Sequence, residues 1–182
     1  MKKAFTMLEI IMVIVVIGIL AAVIIPRTGS NKTAEAAVHL IKDIRYAQHL
    51  AMIDDKFDAT DPTWYRNIWQ IRFDTNNSYS IVSDTGTGTD QFAKDPINKE
   101  DMNGIDLNAL YGVTLFATGG CVQATANGIV GFDHVGRPIV NIPTLTSPYS
   151  NLMTQDCVVT ITGDGPNVVL TLRPETGYVS MQ

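Results

Sequence analysis

Apolar and polar positions follow three patterns along the chain. From Ile10 to Ile25 sixteen consecutive residues are uncharged and mostly aliphatic, with Glu9 at the entrance of the run and Pro26 after it. From Ala34 to Ala51 the apolar positions 34, 37, 38, 41, 44, 47 and 51 recur at intervals of three and four, with Lys32, Glu35, Lys42, Asp43 and Arg45 mainly on the remaining surface. That is the period of an amphipathic helix. After Asp54 alternation by two takes over. Trp69, Ile71 and Phe73 alternate with Gln70 and Arg72, and "DTNNS" at 74–78 turns the chain into "YSIV" at 79–82. Further strands are predicted at 110–116, 128–133, 138–142, 157–162, 168–172 and 178–181, separated by "HVGRP", "GDGPN" and "PETG". The polar stretch 84–109 has no sustained period and reads as a long loop. The pattern predicts an α+β chain: one long N-terminal helix over about residues 5–53, packed on a β-rich head. Pro26 and Gly29 kink or loosen that helix, because Pro26 lacks the amide that would bond the Ala22 carbonyl. No period of 20 to 50 residues repeats, which argues against solenoids and propellers.

The first pattern carries a membrane expectation. As a helix, residues 5–25 would extend roughly 31 Å, about one hydrocarbon core. Lys2 and Lys3 precede them, and positive flanks stay in the cytoplasm, so the N-terminus is expected inside and everything after Pro26 outside. A cleaved secretory signal has a shorter apolar stretch ending in a small-x-small site, whereas Leu20-Ala21-Ala22 places Leu at a small-residue position. Glu9 is the anomaly, since a charge in a membrane segment costs from a few to more than ten kcal/mol. Thr6-Met7-Leu8-Glu9 fits a capping box, and the helix dipole adds about 0.3 to 1 kcal/mol. A nearby cation would complete the compensation. Cleavage between Ala4 and Phe5 would supply one, an α-amino group able to meet Glu9 of a neighbouring chain.

Composition narrows the chemistry. Residues 54–182 hold seven Lys or Arg against 15 Asp or Glu, a formal net charge of −8, which repels nucleic acid unless a local basic patch overrides the total. Cys121 and Cys157 both follow the apolar run; in an extracytoplasmic compartment such a pair is expected to bridge. His39 and His49 are ten residues apart, about 80° out of alignment and about 15 Å apart on a continuous helix, so they share no metal within one chain. His39 and Asp43 are i, i+4 neighbours, read as a surface pair. In "KEDMNGIDLNAL" at 99–110, aligning Gly104 with the sixth place of an EF-hand loop leaves Lys99 first and Leu110 twelfth, where acids are required. A looser calcium site in the head is the remaining cofactor alternative. No local signature of a nucleophile is present, and no enzymatic activity is expected.

"KKAFTMLEIIMVIVVIGILAAVIIP" at 2–26 resembles the class III signal region of type IV pilins and type II secretion pseudopilins. Counting Phe5 as first puts Glu9 fifth and Pro26 twenty-second, as that family has them. The resemblance implies a leader at 1–4, a transmembrane and filament-core helix at 5–26, an amphipathic continuation at 27–54 and a periplasmic head at 55–182. It implies cleavage between Ala4 and Phe5 by a membrane-embedded prepilin peptidase, then N-methylation of Phe5. It assigns filament assembly to Glu9, with Gly18 and Pro26 as helix breakers, and names as partners other pilin subunits and an inner-membrane platform with its cytoplasmic ATPase. The family usually has Gly before the cut, where this chain has Ala4. "AVHLIKDIRYAQHLAM", "GIVGFDHVGRPIV" and "VVLTLRPETGYV" resemble H-type minor pseudopilins and related minor pilins. The alternatives are a minor pilin that captures DNA, for which the tail offers only Arg173, and an ordinary signal-anchored periplasmic binding protein.

Overall fold

The structure, a computed structural model, describes residues 6–24, 31–74, 77–84, 90–121 and 128–182. Two compact units divide between Asn31 and Lys32. The first contains helix α1, Met7–Ile24. The second contains α2, Lys32–Ile53, a short helix α3, Leu107–Tyr111, and, among the described residues, ten strands in two antiparallel sheets. The chain is thus α+β. The single long helix expected over 5–53 is not seen: among the described residues there are separate helices of 18 and 22 residues. Pro26, invoked for the break, lies outside the described residues.

One sheet orders β3 (Asp90–Phe92), β2 (Ser78–Asp84), β1 (Trp69–Phe73), β6 (Ile129–Phe132) and β7 (Pro138–Ile139), with β4 (Ile105–Asp106) also pairing to β2. The other orders β10 (Val179–Met181), β9 (Val168–Leu172), β8 (Cys157–Thr162) and β5 (Thr114–Gly119). Ile71 lies opposite Ile81 and Val130, and Val159 opposite Ala117 and Leu170. These registers keep the apolar alternates on one face, since a one-residue slip would turn each of them outward.

Helix α2 packs against strands of both sheets. Its buried face is Thr33, Ala36, Ala37, Leu40, Asp43, Ile44, Ala47 and Ala51. Small side chains at four of these positions let the backbone approach the sheets, where Ile71, Phe73, Ile81, Phe132, Ile161 and Leu170 complete the core. The predicted stripe is rotated slightly. Val38, predicted inward, is 58% exposed, and Asp43, predicted on the surface, is fully buried. The sheets supply Asp43 with a hydroxyl partner, which a helical-period argument cannot foresee.

The stretch 84–109 is not one long loop. It contains β3, β4 and the start of α3, tied to β2 where the Ile81 amide donates to the Met102 carbonyl and the Ala93 amide to the Ile81 carbonyl. Leu110 and Tyr111, predicted in a strand, belong to α3. Asp106 caps that helix by accepting from the Asn108 and Ala109 amides, and Gly112 ends it at φ 69°.

Candidate functional site

Helix α1 is apolar on every face. Met7, Leu8, Ile10 through Ile17, Ile19 and Leu20 are all exposed in the single chain, from 50% to 85%. A helix hydrophobic all round belongs in a membrane or among other helices. Among the described residues no helix is long and apolar enough to cross a membrane. α1 has 18 residues, about 27 Å against a hydrocarbon core of about 30 Å. The rest of the expected span, Phe5, Ile25 and Pro26, lies outside the described residues, as does Ala4.

Glu9 is the one charged residue of α1, in its first turn and exposed. The Thr6 side chain accepts from the Glu9 amide at 3.3 Å. That is one arm of the predicted capping box: it satisfies a backbone donor and leaves the carboxylate available to another group. Around Gly18 an added Cβ would meet nothing within 4 Å, so this position offers open room for close approach by another helix.

In the second unit Cys121 and Cys157 form a disulfide, with Cα atoms 5.0 Å apart and 36 residues of separation. Its formation is helped by Gly119 and Gly120: an added Cβ on either would lie 2.3 or 2.2 Å from the Asp156 or Gln155 carbonyl oxygen. Only the missing side chains let β5 run that close to the segment entering β8.

A solvent-open cleft of about 380 Å³ lies where the end of α2 meets the aromatic residues Trp64, Trp69 and Tyr149. The protein's own cations already cover two of these rings. Lys56 Nζ sits 5.0 Å over Trp69 and Arg137 5.2 Å over Tyr149. The carboxylates are engaged as well: Asp54 accepts from Lys56 and Trp69 Nε1, and Asp133 from Arg137 and two turn amides. Burial alone would raise the Asp54 carboxyl, but hydrogen bonds from Lys56 and Trp69 and the ammonium charge hold it below the ordinary value.

The three histidines of the chain are separated. His134 lines this cleft, His49 is exposed, and His39 lies edge-on to Tyr111 with ring centroids 5.8 Å apart. Among the described residues no group of three His, Cys, Asp or Glu is placed to hold a metal. In the stretch considered for calcium, Asp101 pairs with Lys94 at 2.7 Å and Asp106 is the helix cap. Arg173 is paired with Asp156 at 2.5 Å.

Sequence reasoning missed the buried polar cluster at Asp43. Tyr79 Oη donates to its Oδ2 at 2.6 Å, Lys42 Nζ approaches Oδ1 at 3.2 Å and His39 Nε2 lies 3.7 Å from Oδ2. The available signal was an acid at i+3 from Leu40 and i−4 from Ala47, inside the core stripe. In comparisons with family models, curated proteins and solved structures, none matches this chain.

Proposed function

We propose that this chain is a non-enzymatic structural subunit, a minor one, of a type II secretion pseudopilus or a type IV pilus. The carrying observation is a helix apolar on every face with a solitary carboxylate, Glu9, in its first turn. Phe5 precedes that carboxylate by four residues and follows Lys2, Lys3 and Ala4. Before assembly the subunit is held once in the inner membrane, its head in the periplasm. Prepilin peptidase cuts the Ala4–Phe5 bond, and the new amine of Phe5 is methylated. The platform and its ATPase then move α1 from lipid to a bundle of like helices. There the apolar surface stays dry and the amine of one chain meets Glu9 of a neighbour. Two desolvated opposite charges offset each other, and removing one leaves the other buried at a cost of about 3–5 kcal/mol.

The test has two parts. Mass spectrometry of the protein from its own cells should show a mature N-terminus at Phe5 with one added methyl. Glu9→Ala should leave the head folded and its disulfide closed, while reducing incorporation into sheared filaments at least tenfold, as expected for a cost above about 1.4 kcal/mol. A mature chain that keeps Met1, or normal incorporation of Glu9→Ala, would refute the proposal. A DNA-capturing subunit would instead show salt-dependent binding weakened by Arg173→Ala; the Asp156 partner of Arg173 makes that reading the poorer one.

A further inference from the structure

The chain contains two Asn-Gly pairs, Asn103–Gly104 and Asn127–Gly128. Asn127 lies outside the described residues, whereas the first pair is held to β2 from both sides. Before it the Ile81 amide donates to the Met102 carbonyl at 3.0 Å, and after it Ile105 lies opposite Tyr79. Ser80 stands on β2 between those two anchors and is buried, with 7% of its surface exposed. Its hydroxyl meets both halves of the pair: Oγ accepts from the Gly104 amide at 2.9 Å and donates to Asn103 Oδ1 at 3.3 Å. Asn103 and Gly104 themselves are exposed, so water reaches them. Gly104 sits at φ 63° with open space where a Cβ would be, a backbone that glycine adopts without strain and that leaves its nitrogen unshielded by a side chain. A hydroxyl touching an amide N–H and the side-chain carbonyl which that nitrogen can attack is placed to move a proton between them.

We propose that Asn103–Gly104 is a self-modifying site, at which the Ser80 hydroxyl assists closure of a succinimide and its hydrolysis to aspartate or isoaspartate. The Gly104 nitrogen bonds to Asn103 Cγ, and the Cγ–Nδ2 bond breaks. Ser80 Oγ takes the amide proton as it passes its own to the charge developing on Oδ1. Nδ2 departs as ammonia, carrying in the net balance the proton that the Gly104 nitrogen has lost. Water then adds to either ring carbonyl and opens the ring, with no change of oxidation state. Anchoring by Ile81 and Tyr79 on the two sides keeps both reacting groups within reach of one hydroxyl, which removes much of the entropic cost of bringing them together. Both products place a new negative charge on the exposed surface beside β4. Isoaspartate also lengthens the backbone between Met102 and Ile105, so the Tyr79–Ile105 pairing has to shift. The head thereby carries a chemical mark of its age.

The experiment keeps the full chain folded in detergent at neutral pH for days, digests it in mild acid and localises the products by fragmentation mass spectrometry, which separates position 103 from Asn127. Aspartate and isoaspartate should accumulate at 103. Ser80→Ala should slow this at least about tenfold, a small share of what positioned proton transfer supplies, and Ser80→Thr, which keeps the hydroxyl, should restore most of the rate. In urea the three chains should react alike, because the contact with Ser80 exists only in the fold. The unsubstituted chain should react faster folded than in urea, a comparison that holds even if a variant fails to fold. An unmodified Asn103, a Ser80→Ala chain that reacts as fast or faster, or faster reaction of the unsubstituted chain in urea would each overturn the inference, since the hydroxyl would then shield the pair. None of these results depends on whether the chain enters filaments.

Discussion

At the scale of single residues, Asp43 and Tyr79 dominate the interior. A buried carboxylate costs folding energy unless its oxygens are engaged: Tyr79 supplies a short donor to Oδ2 at 2.6 Å, while Oδ1 has no hydrogen bond among the described residues and faces the Lys42 ammonium at 3.2 Å. Tyr79→Phe removes that donor and keeps the volume, so unfolding of the full chain in detergent by urea should show a loss of about 1–3 kcal/mol. The same pair predicts an alkaline limit. Burial, reinforced by the Asp43 charge, pushes the Tyr79 phenol far above its ordinary value of 10.0. The folded state therefore keeps a proton that the unfolded chain releases. This contribution is complete below pH 10 and is lost as pH climbs beyond it. Phenolate absorbance from Tyr79 should appear only together with unfolding, and Tyr79→Phe should reduce the alkaline slope. A phenolate signal that precedes loss of structure would contradict this.

At the scale of elements, α2 packs on both sheets and the disulfide fastens two neighbouring strands of one of them. Ala36, Ala37, Ala47 and Ala51 are buried against them, and a larger side chain there must displace a sheet. Ala47→Leu is expected to destabilise by about 1–3 kcal/mol, measurable as a lowered urea midpoint. The bridge ties β5's exit to the start of β8, and a loop of that length contributes roughly 3 to 4 kcal/mol in the chain-entropy model. A Cys121→Ser, Cys157→Ser double variant should lose about that much; an unchanged midpoint would mean the unfolded chain is already compact there. The longer strands were readable because alternation by two survives wherever one face is buried: Trp69–Phe73, Cys157–Thr162 and Val168–Leu172 match the predicted segments. The short pieces β3, β4 and α3 were not, because two or three residues carry no period. Their stability comes from the β2 backbone and the Asp106 cap.

At the scale of the whole molecule, the two units differ in what they can do alone. Among the described residues the buried apolar core lies within residues 32–182, whereas residues 7–20 of α1 are all exposed. A chain starting at Lys32 is therefore expected to unfold cooperatively and remain in solution without detergent. The full chain should partition into detergent micelles. Calorimetry and sedimentation of the two forms check this; a truncated chain without a cooperative transition would show that α1 is part of the head's stability.

The sequence by itself determined the solitary acid at the head of an unbroken aliphatic run, the α+β order and the pairs of alternating strands. These are consequences of local periodicity and of the cost of wetting apolar side chains. Only the tertiary structure decided that Asp43 turns inward to Tyr79 and that β3, β4 and the start of α3 form within 84–109. Each of these depends on which distant segments arrive at the same place, and that is fixed by packing two sheets around α2, not by the spacing of residues along it.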